Sequence, residues 1–306
     1  MGFLEMAIAA PASASMLREP FQTWTWRNHT IRYTIADQTS GQGIPLVLVH
    51  GFGASIGHWK KNIPILAEAG YRVFVLDLLG FGGSDKPVQT YSLELWQSLL
   101  VDFSAELIQA PAIFVGNSIG ALLSLMLSVN HPELVQGTVL LNCAGGLSHR
   151  PEELPPPLRV VMGTFNGLVN SKQLGPLMFN LVRRKPQIKR ALKQVYRKPG
   201  SVTDELVEML YQPSCDPNAQ KVFAAILTAP PGPTVAELLP RQEKPMLVLW
   251  GEDDPWTPVK GSQIFQDHAE THNTTFISIP RTGHCPHDER PEIVNPLILG
   301  WLRSQF

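Results

Sequence analysis

Three cysteines in 306 residues, Cys143, Cys215 and Cys285, are an odd number. No paired disulfide framework follows from them, and a reducing compartment is the simpler reading. No apolar run reaches about 18 residues, so nothing reads as a membrane-spanning helix. The net charge is only −1, which leaves no global field to hold the chain on nucleic acid. There is no Cys/His ligand cluster and no G-x-x-x-x-G-K-[ST] loop, so no metal and no cofactor is expected. No internal repeat is visible. What remains is apolar: 44% of residues are hydrophobic and 17% charged. That is too apolar for a disordered chain and enough for one large core or two modest ones.

The start, MGFLEMAIAAPASASM, has small residues resembling a cleavage site but no basic stretch before them, and Glu5 interrupts its apolar run. Residues 1–20 are read as a mobile leader or the remnant of a transit segment. Beyond it, residues 23–37 predict two strands with a turn at Asn28-His29. Short, fully apolar runs then alternate with helical patterns. IPLVLVH (44–50), YRVFVLD (71–77), AIFVGNS (112–118) and QGTVLLNCA (136–144) read as buried strands. Between them, 62–70, 92–108 and 119–130 read as helices, with Ser92 a candidate N-cap. Strands buried on both faces and alternating with helices predict a mostly parallel sheet with helices on each side, an α/β fold.

The alternation stops at Leu147 and resumes at KPMLVLWG (244–251), followed by a helix over 257–270, a strand over 273–280 and a last helix. Residues 147–240 are Pro-rich at both ends and helical between, and are read as a helical cap inserted into a core made of 21–146 and 241–306.

The chemistry centres on VGNSIG. Gly116, Ser118 and Gly120 form G-x-S-x-G between a predicted strand and a predicted helix, the context in which a sharp turn lifts a serine hydroxyl above the sheet edge. A serine needs a base. His284 and His287 follow the last strand, and His284, in a glycine-containing loop, is the preferred candidate. The bland reading of His287 is a hydrogen-bonded loop side chain near Asp288. A buried acid should orient the imidazole. Asp253 and Asp254 lie just past a strand, and Asp254, before Pro255, is preferred. Asn142 and Cys143 occupy the other place where this acid might lie. The order Ser, Asp, His suits such a fold. The backbone N–H groups of Phe52, in VHGFG, and of Ile119 are the candidate oxyanion donors. His50 is read as a brace for the Phe52 loop, and Asp77 and Asp85 as structural. A serine here argues against epoxide-hydrolase or dehalogenase chemistry, which places an aspartate at this position.

The cap carries 12 Lys/Arg against 7 Asp/Glu, and eight of those cations fall in residues 183–198 with no acid among them. Ile188, Ala191, Leu192, Val195 and Tyr196 share one helical face there. Two readings stand: a cap helix packing that stripe on the core, or an interfacial helix at an anionic membrane. Trp59, Phe81, Trp256, Met162, Phe165, Leu168, Met178 and Phe179 are candidates to line an apolar pocket, which favours an apolar ester as substrate over a sugar or peptide.

HGFGASIGHWKKNIPILA, LDLLGFGGSDKP, VGNSIG, WGEDDPWTP and GHCPHDERPEIVN resemble the chlorophyll dephytylase and pheophytinase group of α/β-hydrolases, over about residues 44–146 and 245–306. The resemblance implies cleavage of the phytyl ester of chlorophyll or pheophytin by Ser118, His284 and Asp254. It also implies a cyanobacterial or processed plastid protein, in cytoplasm or stroma or peripheral on the thylakoid. Ala121 departs from the glycine many members have after the motif. General carboxylesterase or lipase activity, C–C bond hydrolysis, and a ligand receptor on a hydrolase scaffold are the rival readings.

Overall fold

A computed structural model describes residues 21–147 and 167–306. The leader and the pocket candidates Met162 and Phe165 lie outside the described residues.

Eight strands form one sheet: β1 Gln22–Trp26, β2 His29–Ala36, β3 Pro45–Val49, β4 Arg72–Leu76, β5 Ala112–Asn117, β6 Val135–Leu141, β7 Met246–Gly251 and β8 Thr274–Ile279. Their spatial order is β1-β2-β4-β3-β5-β6-β7-β8. β1 pairs antiparallel with β2, and β2 with β4, while every other pairing is parallel. The turn after β1 falls one residue earlier than the predicted Asn28-His29: Arg27 and Asn28 are both at positive φ, as a two-residue hairpin turn requires, and His29 already belongs to β2.

Side chains alternate across the sheet as the pleat demands. Val47, Phe74, Phe114 and Val248 face one core layer, and Leu48, Val75, Val115 and Leu247 face the other. Helices cover both faces, so the runs that looked uniformly apolar are buried on each side.

The helix predicted over 92–108 is regular only over Leu93–Phe103, with Ser92 accepting the Leu95 N–H at 3.2 Å. It then widens into a π turn over Ser104–Ile108 and ends at Gln109 in the left-handed region. Ser104 Oγ donates back to the Leu100 carbonyl, a bond that competes with the regular ladder. The helix predicted over 257–270 begins late, as a 3-10 turn at Val259–Ser262 followed by Gln263–Ala269, because the preceding loop serves the site described below.

Between β6 and β7 the described residues contain helices and no strand. Leu174–Val182, Lys185–Val195, Asp204–Tyr211 and Ala219–Leu227 are the longer helices among its described residues. It stands at the carboxyl ends of the parallel strands, where open α/β sheets place their ligands. A small apolar cluster of Leu192, Val195, Tyr196, Leu206, Val207 and Cys285 joins it to the loop after β8.

Candidate active site

Ser118 caps the helix Ile119–Asn130 directly after β5, with φ 56° and ψ −119°. A residue with a Cβ holds that conformation at a cost of roughly 1–3 kcal/mol, so the surroundings must enforce it. They do so on both sides. The Ser118 N–H donates to the Leu141 carbonyl at 3.0 Å, and the Ser118 carbonyl accepts the Ala144 N–H at 3.2 Å. The two motif glycines are sterically required. A Cβ on Gly116 would lie 2.1 Å from the Gly120 carbonyl oxygen, and one on Gly120 would lie 2.2 Å from that of Val49.

His284 and Asp254, predicted partners far apart in sequence, meet. His284 Nδ1 lies 2.6 Å from Asp254 Oδ2, and both side chains are buried. Asp254 Oδ2 also accepts from Asn142 Nδ2 at 2.7 Å and from the Thr257 hydroxyl, while Oδ1 accepts the Trp256 N–H at 2.8 Å. Burial alone would raise the Asp254 pKa. The hydrogen bond and charge of His284, with the Thr257 and Trp256 bonds, outweigh it and hold the carboxyl below its usual range. The ionised acid fixes the imidazole with its proton on Nδ1. Among the described residues nothing is bonded to Nε2, so that nitrogen is the basic one. Asp253 is exposed, as expected of the solvated neighbour.

Three residues of this site escaped the sequence reading. Asn142 stands where an acid might have been, at the end of β6. Its Oδ1 accepts the Gly251 N–H at 2.9 Å while its Nδ2 serves Asp254, so it clamps the acid to its own strand end. Asn117, inside the motif, donates to the His284 carbonyl at 2.9 Å and to that of Leu141 at 3.1 Å, tying the serine turn to the histidine loop. Thr257 was hidden in a stretch that read as helix.

The Phe52 loop lies beside the serine: a Cβ on Gly51 would be 3.2 Å from Ser118 Cβ. Among the described residues neither the Phe52 nor the Ile119 N–H has a hydrogen-bond acceptor. His50 braces the loop. Its Nδ1 lies 2.8 Å from the Gly51 carbonyl and its Nε2 accepts the Leu78 N–H at 3.0 Å, a pairing that only the neutral ring protonated on Nδ1 satisfies. Burial lowers its pKa accordingly. Asp77 is structural, holding Arg32 and the Ile56 and Gly83 amides, and Asp85 accepts the Thr30 N–H.

A cavity of about 400 Å³ lies under the insertion. Phe81, Phe179 and Trp256 line it as expected, joined by Phe52, Phe223 and Ile226. Ser118 is not itself a lining residue. The cavity's lining includes Phe52, in the loop beside the serine, and Trp256, whose ring is 5.3 Å from that of His284. Three pocket candidates, Trp59, Leu168 and Met178, are corrected. Trp59 is fully buried in the core layer that holds Leu48 and Val75, its ring 4.1 Å from His287. Leu168 and Met178 are half-buried and neither lines the cavity that Phe179 lines.

His287 is a further correction. It is fully buried, and neither ring nitrogen has a partner among the described residues. Asp288 points elsewhere, to Lys61 Nζ at 2.9 Å and the Tyr196 hydroxyl at 2.8 Å. Burial, with His58 and His284 nearby, holds His287 neutral well below the usual histidine range. Among the described residues no group of His, Cys, Asp or Glu side chains is arranged to hold a metal ion.

A sheet of this order, carrying a strained serine turn at the end of its fifth strand, defines a hydrolase of the α/β type. A family model described as alpha/beta hydrolase family matches residues 46–297, and the chain belongs to that family. Among curated relatives, the chloroplastic pheophytinase of Arabidopsis thaliana is 30% identical over 300 residues, covering 85% of this chain and 61% of the relative. The chain thus spans less than two thirds of that protein. The 2-hydroxy-6-oxo-6-(2'-aminophenyl)hexa-2,4-dienoic acid hydrolase of Metapseudomonas resinovorans is 30% identical over 261 residues, covering 83% of this chain and 82% of the relative. A solved serine hydrolase involved in carbazole degradation has a TM-score of 0.73 at 24% identity, covering 94% of this chain and 99% of that one; it is alike in fold.

Proposed function

We propose that the protein is a carboxylic-ester hydrolase in which Ser118, His284 and Asp254 cleave the phytyl ester of chlorophyll or pheophytin. The observation that carries the hydrolytic part is the 2.6 Å contact of His284 Nδ1 with a buried, ionised Asp254, in a loop tied by Asn117 to the serine turn. The pheophytinase relative and the aromatic cavity support the choice of ester.

Ser118 Oγ attacks the ester carbonyl carbon, and its proton passes to His284 Nε2. The Phe52 and Ile119 N–H groups hold the oxyanion that forms. The C–O bond to phytol breaks, and His284 returns the proton to the departing oxygen. Water then attacks the acyl-enzyme, gives a proton to His284, and releases chlorophyllide or pheophorbide as Ser118 recovers its hydrogen. No step needs a cofactor.

C–C bond hydrolysis is the second reading, favoured by the dienoic acid hydrolase relative. The lining speaks against an anionic substrate of that kind. It is mostly apolar, and Lys86 is neutralised by Asp216 at 2.7 Å, which leaves Arg183, held by the Ser214 carbonyl at 3.1 Å, as its single cation without an acidic partner among the described residues. The test is release of phytol from pheophytin a and chlorophyll a in detergent, beside p-nitrophenyl butyrate and a ring-fission diketone, with Ser118→Ala as control. Serine-dependent phytol release is expected. Turnover of the nitrophenyl ester alone moves the function to a general carboxylesterase or lipase. Cleavage of the diketone alone moves it to C–C hydrolysis. Tight binding of an ester with no turnover points to a receptor on this scaffold.

A further inference from the structure

The helix Leu174–Val182 is apolar on two opposite faces. Inward, Gly175 and Phe179 are buried, and Phe179 packs 5.3 Å from Phe223 at the cavity. Outward, Leu174 is 44% exposed, Leu177 66%, Leu181 51% and Val182 47%. Their spacing of i, i+3, i+7 and i+8 puts them on one stripe. Scattered apolar residues on a surface need no explanation, but a contiguous stripe does. Its place sharpens the matter. Val182 also lines the cavity, and so does Trp256, which is 54% exposed. The stripe therefore runs up to the cavity's rim.

Charge says what covers it. From Lys172 to Lys198 the chain has nine Lys/Arg and no Asp/Glu. Lys185, Lys189 and Lys198 are paired with Glu208, Asp204 and Glu292. Arg184, Arg190 and Lys193 are exposed and carry no ion pair among the described residues. A second copy docking face to face would bring these like charges together, at a cost. An anionic bilayer matches both features: leucines enter the acyl boundary while the cations meet headgroups. No described helix is long and apolar enough to cross a membrane, so the contact is peripheral.

We propose that the Leu174–Val182 face, flanked by Arg184, Arg190 and Lys193, docks the cavity rim on an anionic lipid surface, from which an apolar substrate enters. The apolar stripe of Lys185–Val195 does not make this contact, because Ile188, Leu192 and Val195 turn toward the cavity and the core; that helix supplies cations only. Only the identity of the substrate rests on the proposed ester chemistry.

The experiment is co-sedimentation of the full chain with phosphatidylcholine vesicles, with and without phosphatidylglycerol, alongside turnover of p-nitrophenyl butyrate and light scattering for oligomeric state. Wild type is expected to sediment with the anionic vesicles and less with neutral ones. Leu177→Glu/Leu181→Glu should lower vesicle partitioning by about tenfold or more, with unchanged far-UV dichroism and butyrate turnover. Arg184→Gln/Arg190→Gln/Lys193→Gln should abolish the preference for anionic lipid. Wild type staying in the supernatant with both vesicles overturns the proposal. So does a wild-type dimer that the leucine variant converts to monomer without any lipid binding. Vesicle binding by a chain that turns over no ester leaves the docking standing and removes the ester reading instead.

Discussion

The carbonyl of Val195, the last residue of the insertion helix Lys185–Val195, accepts the backbone N–H of His284 at 2.9 Å. The roof of the cavity and the base of the proposed triad are thus one hydrogen-bonded unit. Glu289 reinforces the join. Fully buried, it accepts the N–H groups of Gly283, Arg197 and Lys198 at 2.9, 2.9 and 2.7 Å. The acidic end of GHCPHDE therefore ties the insertion to the histidine loop.

Replacing Glu289 by alanine leaves three amides without their acceptor. A loss of about 3 kcal/mol in stability is expected, since hydrogen bonds to a charged group are each worth roughly 1.5–3 kcal/mol and do not add in full. kcat should fall and KM should rise, because the latch joins the histidine loop to the insertion helix whose residues line the cavity. Glu289→Gln, which keeps an acceptor oxygen, should recover part of both. Thermal melts and steady-state kinetics check this, and an unchanged kcat in Glu289→Ala would separate the latch from the histidine.

Asn142→Asp would set a second carboxylate where an amide now donates to Asp254 at 2.7 Å. Like charges favour protonation, which here opposes the hydrogen bonds that lower the Asp254 pKa. The acid limb of kcat/KM is expected to move up by about one pH unit or more. Asn142→Leu removes the donor without adding charge and should lower the rate without that displacement. A pH–rate profile distinguishes the two.

A buried relay gives the fold its own pH dependence. Tyr196 donates its proton to Asp288, so its oxygen accepts from His58 Nε2 at 2.8 Å, and His58 Nδ1 is left without a partner among the described residues. Burial lowers the His58 pKa to about 4 against the pull of Asp288, with His50, His284 and Lys61 acting in the same direction as burial. The unfolded chain takes up this proton near pH 6.5 and the folded chain does not. The contribution is present above pH 6.5 and is lost as pH falls toward 4, by about 3 kcal/mol across that window. His287, lowered for the same reason, adds to it. Urea midpoints measured from pH 7 to pH 4 should fall, and His58→Gln should flatten the slope.

Phe223, missed by sequence reading, touches both Phe52 and Phe179 with ring centroids 5.9 and 5.3 Å away. Phe223→Ala should lower the ratio of kcat/KM for long over short nitrophenyl esters by about tenfold, because the lost contact is apolar. An unchanged ratio would place the substrate outside this cavity.

The sheet was legible because parallel strands buried on both faces read as uninterrupted apolar runs, and Ser118 because strand, turn and helix are contiguous. His284 and Asp254 were reachable through chain order and loop position. Trp59, Leu168 and Met178 were misjudged because apolar residue type does not say which way a side chain turns. Trp59 is core beside His287, and Leu168 and Met178 do not line the cavity. Asn142, Asn117 and the Val195 carbonyl act across 112, 167 and 89 residues of chain, separations at which local pattern carries no information.

The central claim is that Ser118, His284 and Asp254 act together. The most direct measurement is the rate and position of fluorophosphonate labelling, in which Ser118 Oγ forms the bond to phosphorus and fluoride leaves. A single adduct on the Ser118 peptide is predicted, absent in Ser118→Ala and slowed by about a thousandfold in His284→Ala and Asp254→Asn. Labelling at another residue, or at an unchanged rate in His284→Ala, would contradict it.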